Sequence, residues 1–329
     1  MTKKAGLTGF IGLVAALAVA SAARAQAIPP PVSLTASPSS PSPRVPYTIT
    51  ASTPTFDKDL AEFAWTVDGK KRPEFSGVGA NEITLTAGAI GSITKINISV
   101  SRPTGDGGSS SLTVIPSDLS LPWIAETTAP RWYQGKALPT PGAVVDIIAV
   151  PRIVIAGSSL NPDTLIYRWR IDSDKESLTG SSKRVFTFTA STLPETTHQI
   201  DVSVEDIDGR VHKDGRVLIT TDAVPRVVLY ASSPLGGTEP RSAASATARP
   251  GLFDVIAEPF FFPLSSAAAL TYDWTVDGNA VPASAQNPRI VTIDAGRRAN
   301  EDVSVSAAVH AVYLFQNSFS ALFNLFISQ

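Results

Sequence analysis

The sequence predicts an all-β protein with three β-sandwich domains in tandem. The first observation is a tryptophan that recurs inside the same short pattern, at Trp65, Trp169 and Trp274, so that the copies lie 104 and 105 residues apart. This interval is the length of one small sandwich, about 100 residues. The second observation is that apolar and polar residues alternate around each tryptophan, which is typical of a strand with one buried face. We therefore expect one sandwich per tryptophan.

Four strand patterns recur in the same order in each repeat. The tryptophan strand has its apolar positions at Phe63, Trp65 and Val67, at Tyr167, Trp169 and Ile171, and at Tyr272, Trp274 and Val276. The strand before it carries Tyr47, Ile49 and Ala51, then Val145, Ile147 and Ala149, then Phe253, Val255 and Ala257. Two later strands carry Ile83 and Leu85, Phe186 and Phe188, Val291 and Ile293, followed by Ile98 and Val100, Val202 and Val204, Val303 and Val305. Matched strands in three copies favour a repeated sandwich.

Turn residues follow the tryptophan strands. Asp68-Gly69 and Asp277-Gly278 each end one of them, and Asp-Gly is a strong signal for a tight hairpin turn. The second repeat has Asp172-Ser173 at the same place, which predicts a looser turn there.

The tryptophan strand and its turn resemble a known class of repeat. Trp65-Thr-Val-Asp-Gly69 and Trp274-Thr-Val-Asp-Gly278 are similar to PKD-type and related immunoglobulin-like repeats of bacterial cell-surface proteins. The resemblance implies immunoglobulin-like (PKD-like) sandwiches that lack an inter-sheet disulfide. One departure is Val-Asp-Gly, where the commonest PKD pattern has Gly-Asp-Gly. Pro130–Pro139 and Ala257–Phe262 are also similar to segments of uncharacterised exported multi-repeat proteins associated with surface appendages.

The first 27 residues are predicted to be a signal peptide. Lys3 and Lys4 precede the uncharged apolar run Phe10–Ala20, and small-x-small cleavage patterns end at Ala25 and at Ala27. The alternative is an uncleaved membrane anchor, but the run is shorter than the ~20 residues that a span needs.

The domains are predicted to cover residues 28–116, 117–222 and 223–329. The boundaries are placed at two short hinges, Pro116–Leu119 and Asp222–Pro225. Short linkers of this kind favour a semi-rigid rod. The last apolar segment, Phe319–Ile327, is interrupted by polar residues, and we expect a closing edge strand there instead of a transmembrane helix.

The composition excludes several kinds of protein. The chain has no cysteine, which excludes disulfides, thiolate metal sites and cysteine nucleophiles. Its net charge is −2, and loss of Lys3, Lys4 and Arg24 with the signal peptide makes the remainder more acidic. No basic stripe is present, so nucleic acid is not expected as a partner.

Residues for catalysis are not visible in the sequence. The three histidines, His198, His212 and His310, have no spacing typical of metal ligands, although the first two flank a predicted hairpin and could approach each other. No Gly-x-Ser-x-Gly pattern occurs, and no pair of catalytic carboxylates can be selected. We expect neither enzymatic activity nor a cofactor.

A weak candidate for a metal site lies in the second repeat. Glu205, Asp206 and Asp208 form an acidic cluster at the end of a strand. Clustered carboxylates can hold Ca²⁺, which takes six to eight oxygen ligands. The full Asp-x-Asp-x-Asp-Gly spacing is missing, however, and a solvated turn is the interpretation that we favour.

Aromatic residues give a weak candidate for a partner-binding surface. Trp123, Trp132 and Tyr133 precede the first confident strand of the second repeat. They either stack on sugar rings or a protein partner, or fill the joint between the first and second domains, which we favour. In Phe260–Phe262, strand alternation leaves at least one ring exposed or covered by the loop 265–269.

These observations favour an exported, non-catalytic structural or adhesive protein. Such a stalk or appendage component would contact envelope proteins or surface glycans. The alternative is a secreted carbohydrate-binding accessory module for a separate hydrolase, and a periplasmic scaffold is a third interpretation. Glycan binding on a flat platform needs two or three coplanar exposed rings, whereas a stalk needs Trp123 and Trp132 buried in a joint.

Overall fold

The structure is a computed structural model of the 329-residue chain. It describes residues 32–54, 57–103, 107–172, 178–221, 223–233, 236–296, 298, 300–311 and 318–328. The predicted signal peptide, residues 1–27, lies outside these ranges. Within them, no helix is long and apolar enough to cross a membrane.

The first sandwich packs two antiparallel sheets. Its strands are β1 (Ser33–Ser37), β2 (Pro46–Ser52), β3 (Glu62–Val67), β4 (Lys70–Lys71), β5 (Gly77–Val78), β6 (Glu82–Thr86), β7 (Thr94–Ser101) and β8 (Gly107–Val114). One sheet has the order β1-β2-β6 and the other β4-β3-β7-β8, with β5 also paired to β3. Short 3₁₀ turns occupy Lys58–Leu60 and Pro73–Phe75.

The second sandwich repeats this arrangement. Its strands are β9 (Asp118–Ser120), β10 (Trp123–Ala125), β11 (Val144–Ile148), β12 (Val150–Arg152), β13 (Val154–Ile155), β14 (Ser158–Ser159), β15 (Ile166–Ile171), β16 (Leu178–Ser181), β17 (Val185–Thr189), β18 (Thr197–Glu205) and β19 (His212–Thr220). Its main sheets are β10-β11-β17 and β16-β15-β18-β19, beside the small pairs β9-β12 and β13-β14. A 3₁₀ turn occupies Pro162–Thr164.

The third sandwich adds one parallel pairing. Its strands are β20 (Arg226–Ser233), β21 (Gly237–Thr238), β22 (Ser245–Ala248), β23 (Leu252–Phe260), β24 (Thr271–Val276), β25 (Asn279–Val281), β26 (Ile290–Asp294), β27 (Glu301–His310) and β28 (Ser318–Ile327). A 3₁₀ turn occupies Pro240–Ser242, and the helix α1 spans Leu264–Ala267. The sheets are β21-β20-β23-β26 and β22-β28-β27-β24-β25. The expectation that the last strand lies at a sheet edge is wrong, because β28 pairs with β27 on one side and β22 on the other.

The repeated tryptophan is the centre of each core, as predicted. Trp65, Trp169 and Trp274 are at most 2% exposed. Each indole N–H donates to a backbone carbonyl 14 or 15 residues later in the chain, at 2.8–3.0 Å. Because a buried indole N–H needs an acceptor, this bond fixes the ring in the same place in all three copies. The fold is therefore three tandem immunoglobulin-like β-sandwiches.

The aspartate after each tryptophan strand has a structural role. Asp68, Asp172 and Asp277 all have a positive φ of 49–52°. Each side chain accepts a hydrogen bond from a backbone N–H on or next to the neighbouring long strand, at 2.8–2.9 Å. Aspartate tolerates this conformation and accepts such a bond with a short side chain. The second repeat thus keeps the same aspartate geometry, although its Ser173 lies outside the described residues.

Candidate functional site

An extensive contact joins the second sandwich to the third. We call it the second joint: Glu126–Tyr133 of the second sandwich packed on Phe260–Leu264 of the third. The Thr128 N–H donates to the Phe262 carbonyl at 2.7 Å, and the Phe261 N–H donates to the Thr128 carbonyl at 2.7 Å. The Leu264 N–H donates to the Glu126 carbonyl at 3.0 Å. A short antiparallel ladder therefore runs across the domain boundary.

Phe261 has a left-handed backbone conformation, which sets the directions of the three phenylalanine side chains of this joint. Phe261 has a φ of +64°, which is unfavourable for a bulky side chain. The Thr140 hydroxyl donates to its carbonyl at 2.8 Å, and the Thr128 hydroxyl accepts from the Phe262 N–H at 3.0 Å. The backbone reversal breaks the expected alternation, and Phe260, Phe261 and Phe262 are all buried. The part of the prediction that leaves one ring exposed is wrong.

The aromatic rings of the joint pack edge to face. Trp132 lies 5.2 Å from Tyr230 and 6.0 Å from Phe260 between ring centroids, at interplanar angles of 75° and 72°. Tyr133 lies 5.5 Å from Phe260 and 5.9 Å from Phe261, at 86° and 69°. Edge-to-face pairs of this kind contribute free energy beyond their buried area. Trp132 and Tyr133 do fill a joint, but it is the second–third joint and not the first–second joint that the sequence suggested.

Trp123 takes no part in this cluster. It lies half-buried on β10, where it pairs with Ile147 and packs against the second core. The Lys136 ammonium lies 2.9 Å from its ring centroid, a cation–π contact, and burial lowers the pKa of Lys136. Trp123, Trp132 and Tyr133 therefore occupy two separate packed environments and form no coplanar platform.

An open cleft lies beside the second joint. Its volume is about 520 Å³, and its lining comes from the segment 127–132 and from the third sandwich. The Glu258 carboxylate, in a residue only 6% exposed, accepts from the Thr238 hydroxyl at 2.8 Å and forms an ion pair with Arg289. The Arg289 Nε also donates to the Ala257 carbonyl at 3.1 Å. These bonds hold the polar wall of the cleft in one orientation.

The first and second sandwiches meet through polar contacts. We call this the first joint: Ser39–Ser42 of the first sandwich with His212 and Lys213 of the second. The Lys213 ammonium donates to the Ser40 carbonyl and to the Ser42 hydroxyl, both at 3.0 Å. The Ser39 hydroxyl donates to the His212 carbonyl at 3.2 Å. Lys213 is buried, and this burial lowers the pKa of its ammonium.

The acidic cluster of the second repeat is engaged by arginines. Arg168 lies 2.6 Å from the Glu205 carboxylate and lowers its pKa. Burial alone would raise the pKa of Asp206, but hydrogen bonds that include one from Arg210 at 2.7 Å outweigh it and lower the pKa. Asp208 lies 3.0 Å from the same arginine. Across the described residues, no three histidines or carboxylates are placed to hold a metal ion.

The first two histidines lie at opposite ends of one hairpin. In the pairing of β18 with β19, His198 faces Ile219 and His212 faces Glu205. His198 Nδ1 lies 2.7 Å from the Asp172 carboxylate, whereas His212 Nδ1 lies 3.7 Å from that of Glu205. The structure therefore does not bring the two imidazoles together.

Comparisons with known proteins give weak likenesses only. No family model matches the sequence, and no curated protein matches it. Among solved structures, the three N-terminal domains of the Highly Immunogenic Outer Capsid protein (Hoc) of bacteriophage RB49 align over 90% of this chain and 98% of that chain, with 12% identity and a TM-score of 0.25. The central fibronectin-III array of RIM-binding protein aligns over 90% and 97%, with 14% identity and a TM-score of 0.28.

A third likeness is to a protein solved with a sugar. SGBP-B of the Bacteroides ovatus mixed-linkage glucan utilization locus, in complex with a mixed-linkage heptasaccharide, aligns over 88% of this chain and 65% of that chain, with 16% identity and a TM-score of 0.23. The identities and TM-scores of all three likenesses are low.

Proposed function

We propose that this chain is exported and acts as a non-catalytic structural or adhesive protein, a stiff spacer whose partners are envelope proteins, appendage proteins or surface glycans. Export is supported by the predicted signal peptide at residues 1–27. The absence of cysteine is compatible with this, because sandwiches of about 100 residues hold together by core packing alone. The sequence offers no recognisable catalytic residues, and we propose no catalytic step.

The second joint is the observation that carries the proposal. Freely jointed binding modules need no fixed contact between domains, whereas a stalk must resist bending. A backbone ladder and five packed rings (Trp132, Tyr133, Tyr230, Phe260 and Phe261) connect the second sandwich to the third. Buried apolar area and satisfied backbone groups both oppose rotation about the linker. The carbohydrate-binding accessory module is the less supported alternative, because Trp123 lies apart from Trp132 and Tyr133, so the three predicted rings form no common platform.

Small-angle X-ray scattering tests the stiffness. We expect the chain without its signal peptide to give one narrow distribution of interatomic distances with a long maximum dimension. The double variant Trp132→Ala/Tyr133→Ala removes two of the five rings of the second joint and should broaden that distribution. Trp123→Ala is the matched control, because this ring lies on the same sandwich outside the joint. A broad distribution for the unaltered chain would reject the stiff spacer.

Cross-linking on intact cells tests the location and the partners. We expect the chain to be joined to envelope or appendage proteins, and its N-terminus to begin near residue 26 or 28. Recovery of unattached protein from the medium would instead favour the secreted accessory module. Recovery with an uncleaved N-terminus would contradict the predicted signal peptide.

A further inference from the structure

We propose that the cleft beside the second joint binds an acidic saccharide, with its carboxylate on Arg131 and Arg289 and a sugar ring against Trp132. The proposal goes beyond the stiff spacer and rests on the second joint, because both sandwiches of that joint line the cleft. The cleft volume of about 520 Å³ lies within the range of small-molecule sites, about 300–1,000 Å³.

The charge of the cleft favours an anionic ligand. Two guanidinium groups line it, and the carboxylate of Glu258 is the only acidic group in the lining. That carboxylate is buried and already bonded to Arg289 and Thr238. Arg131 is exposed and makes no ion pair with any described residue. One positive charge is therefore left for a ligand.

In the wall of the cleft, the Arg289 guanidinium is already held in an orientation that can bind a carboxylate. The Arg289 Nε donates to the Ala257 carbonyl at 3.1 Å, and its Nη2 donates to Glu258. These bonds fix the guanidinium plane and leave Nη1 without a partner among the described residues. A fixed guanidinium loses little side-chain entropy when it binds a planar carboxylate. The second arginine, Arg131, also lines the cleft, next to Trp132 in the sequence.

The remaining lining favours a saccharide over an acidic peptide. Thr128 and Thr238 each use their hydroxyl in one bond within the protein, and a hydroxyl has the capacity for three. They can therefore bond to further hydroxyl groups, which a sugar has in number and a glutamate-rich peptide lacks. Trp132 supplies a flat apolar surface for the C–H face of a ring. A single ring suits a chain end or a short oligosaccharide, not a flat polymer.

Calorimetric titration of the mature chain tests the proposal. The probes are a galacturonate tetramer, its methyl ester as the uncharged match, and a tetraglutamate peptide. We expect saturable binding of the acidic tetramer, with the ester and the peptide at least about tenfold weaker. Equal affinity for acid and ester would overturn the role of the arginines, and tighter binding of the peptide would replace the saccharide with an acidic protein segment.

A variant pair tests the location. Arg131→Ala should weaken binding of the acidic tetramer about tenfold. Arg249→Ala removes an exposed arginine of the third sandwich that does not line the cleft, and it should change the affinity less than about twofold. Both variants should melt like the unaltered chain, because neither arginine makes an ion pair with the described residues. Equal affinities of the two variants, or no binding at all, would reject the cleft, while the scattering experiment would still decide the stiff spacer independently.

Discussion

The two joints hold the second sandwich to its neighbours by different chemistry. The first joint is held by polar bonds: the buried Lys213 ammonium donates to Ser40 and Ser42, and the Ser39 hydroxyl donates to the His212 carbonyl. The second joint depends on a backbone ladder and on five packed rings. Burial of apolar rings is favourable in itself, whereas a buried ammonium must first recover the cost of leaving water. We infer that the second joint holds its angle more firmly than the first.

This difference also concerns what each joint tolerates. An apolar cluster loses free energy roughly in proportion to the area that a substitution removes. A polar joint depends on the position of a few atoms, so a small displacement breaks it. Substitutions in the two joints should therefore differ in size and in kind, and the following experiments measure that difference against the core of the second sandwich.

The largest effect is expected from Trp169→Ala, because the second sandwich forms half of both joints. Trp169 is fully buried, stacks on Phe186 at 5.4 Å and donates to the Lys183 carbonyl at 2.8 Å. Its loss should cost about 3–5 kcal/mol of unfolding free energy and loosen both joints together. Calorimetric melting measures the cost, with the half-buried Trp123→Ala as the milder control. A cost below about 1 kcal/mol would contradict the central place of Trp169 in the core.

The second largest effect is expected from Phe260→Ala in the second joint. Phe260 is buried and packs against both Trp132 and Tyr133. Its truncation should lower the unfolding free energy by about 3 kcal/mol. The same truncation at Phe326, which is 44% exposed on the third sandwich, is the matched control and should cost under about 1 kcal/mol. Thermal melting should also show the third sandwich unfolding separately from the second in Phe260→Ala alone. Equal costs at the two positions would mean that the ring cluster does not hold the joint.

A smaller effect is expected from Gly91→Ala, which probes the close approach of the first and second sandwiches. A methyl group at Gly91 would lie 2.6 Å from Val154 Cγ1, and the glycine has a φ of +76°. The overlap and the backbone strain together should lower the unfolding free energy by about 2 kcal/mol. Gly142→Ala separates the two causes, because Gly142 has the same φ and no atom within 4 Å of an added methyl group. The loss of unfolding free energy in Gly142→Ala should come from backbone strain alone. Denaturant unfolding of both variants should therefore give the larger loss for Gly91→Ala. Equal losses would show that the contact between Gly91 and Val154 yields without cost.

The sandwiches could be predicted from the sequence because their signals are local. Alternation around Trp65 and the Asp-Gly turn after it lie within a few residues, and the structure confirms the buried tryptophan. The second joint could not be predicted, because Phe261 adopts a positive φ that its neighbours in the sequence do not dictate. The groups that stabilise it, Thr128 and Thr140, lie more than 100 residues away in the chain. The pairing of β22 with β28 is also non-local, because Ser245 pairs with Asn324.

The smallest effect concerns pH and the first joint. Burial lowers the pKa of Lys213 below its usual value of 10.5, although Asp118 and Asp214 oppose the shift. The folded chain therefore releases this proton at a lower pH than the unfolded chain, and its stability should rise with pH between the two pKa values. Lys213→Met has no such proton. As the pH rises towards 10.5, the difference in unfolding free energy should shift in favour of the unaltered chain, while the tyrosines and Lys136, common to both proteins, cancel. Denaturant unfolding of the unaltered chain and of Lys213→Met at several pH values measures this difference. A difference that instead falls as the pH rises would mean that the joint stabilises the ammonium better than water does.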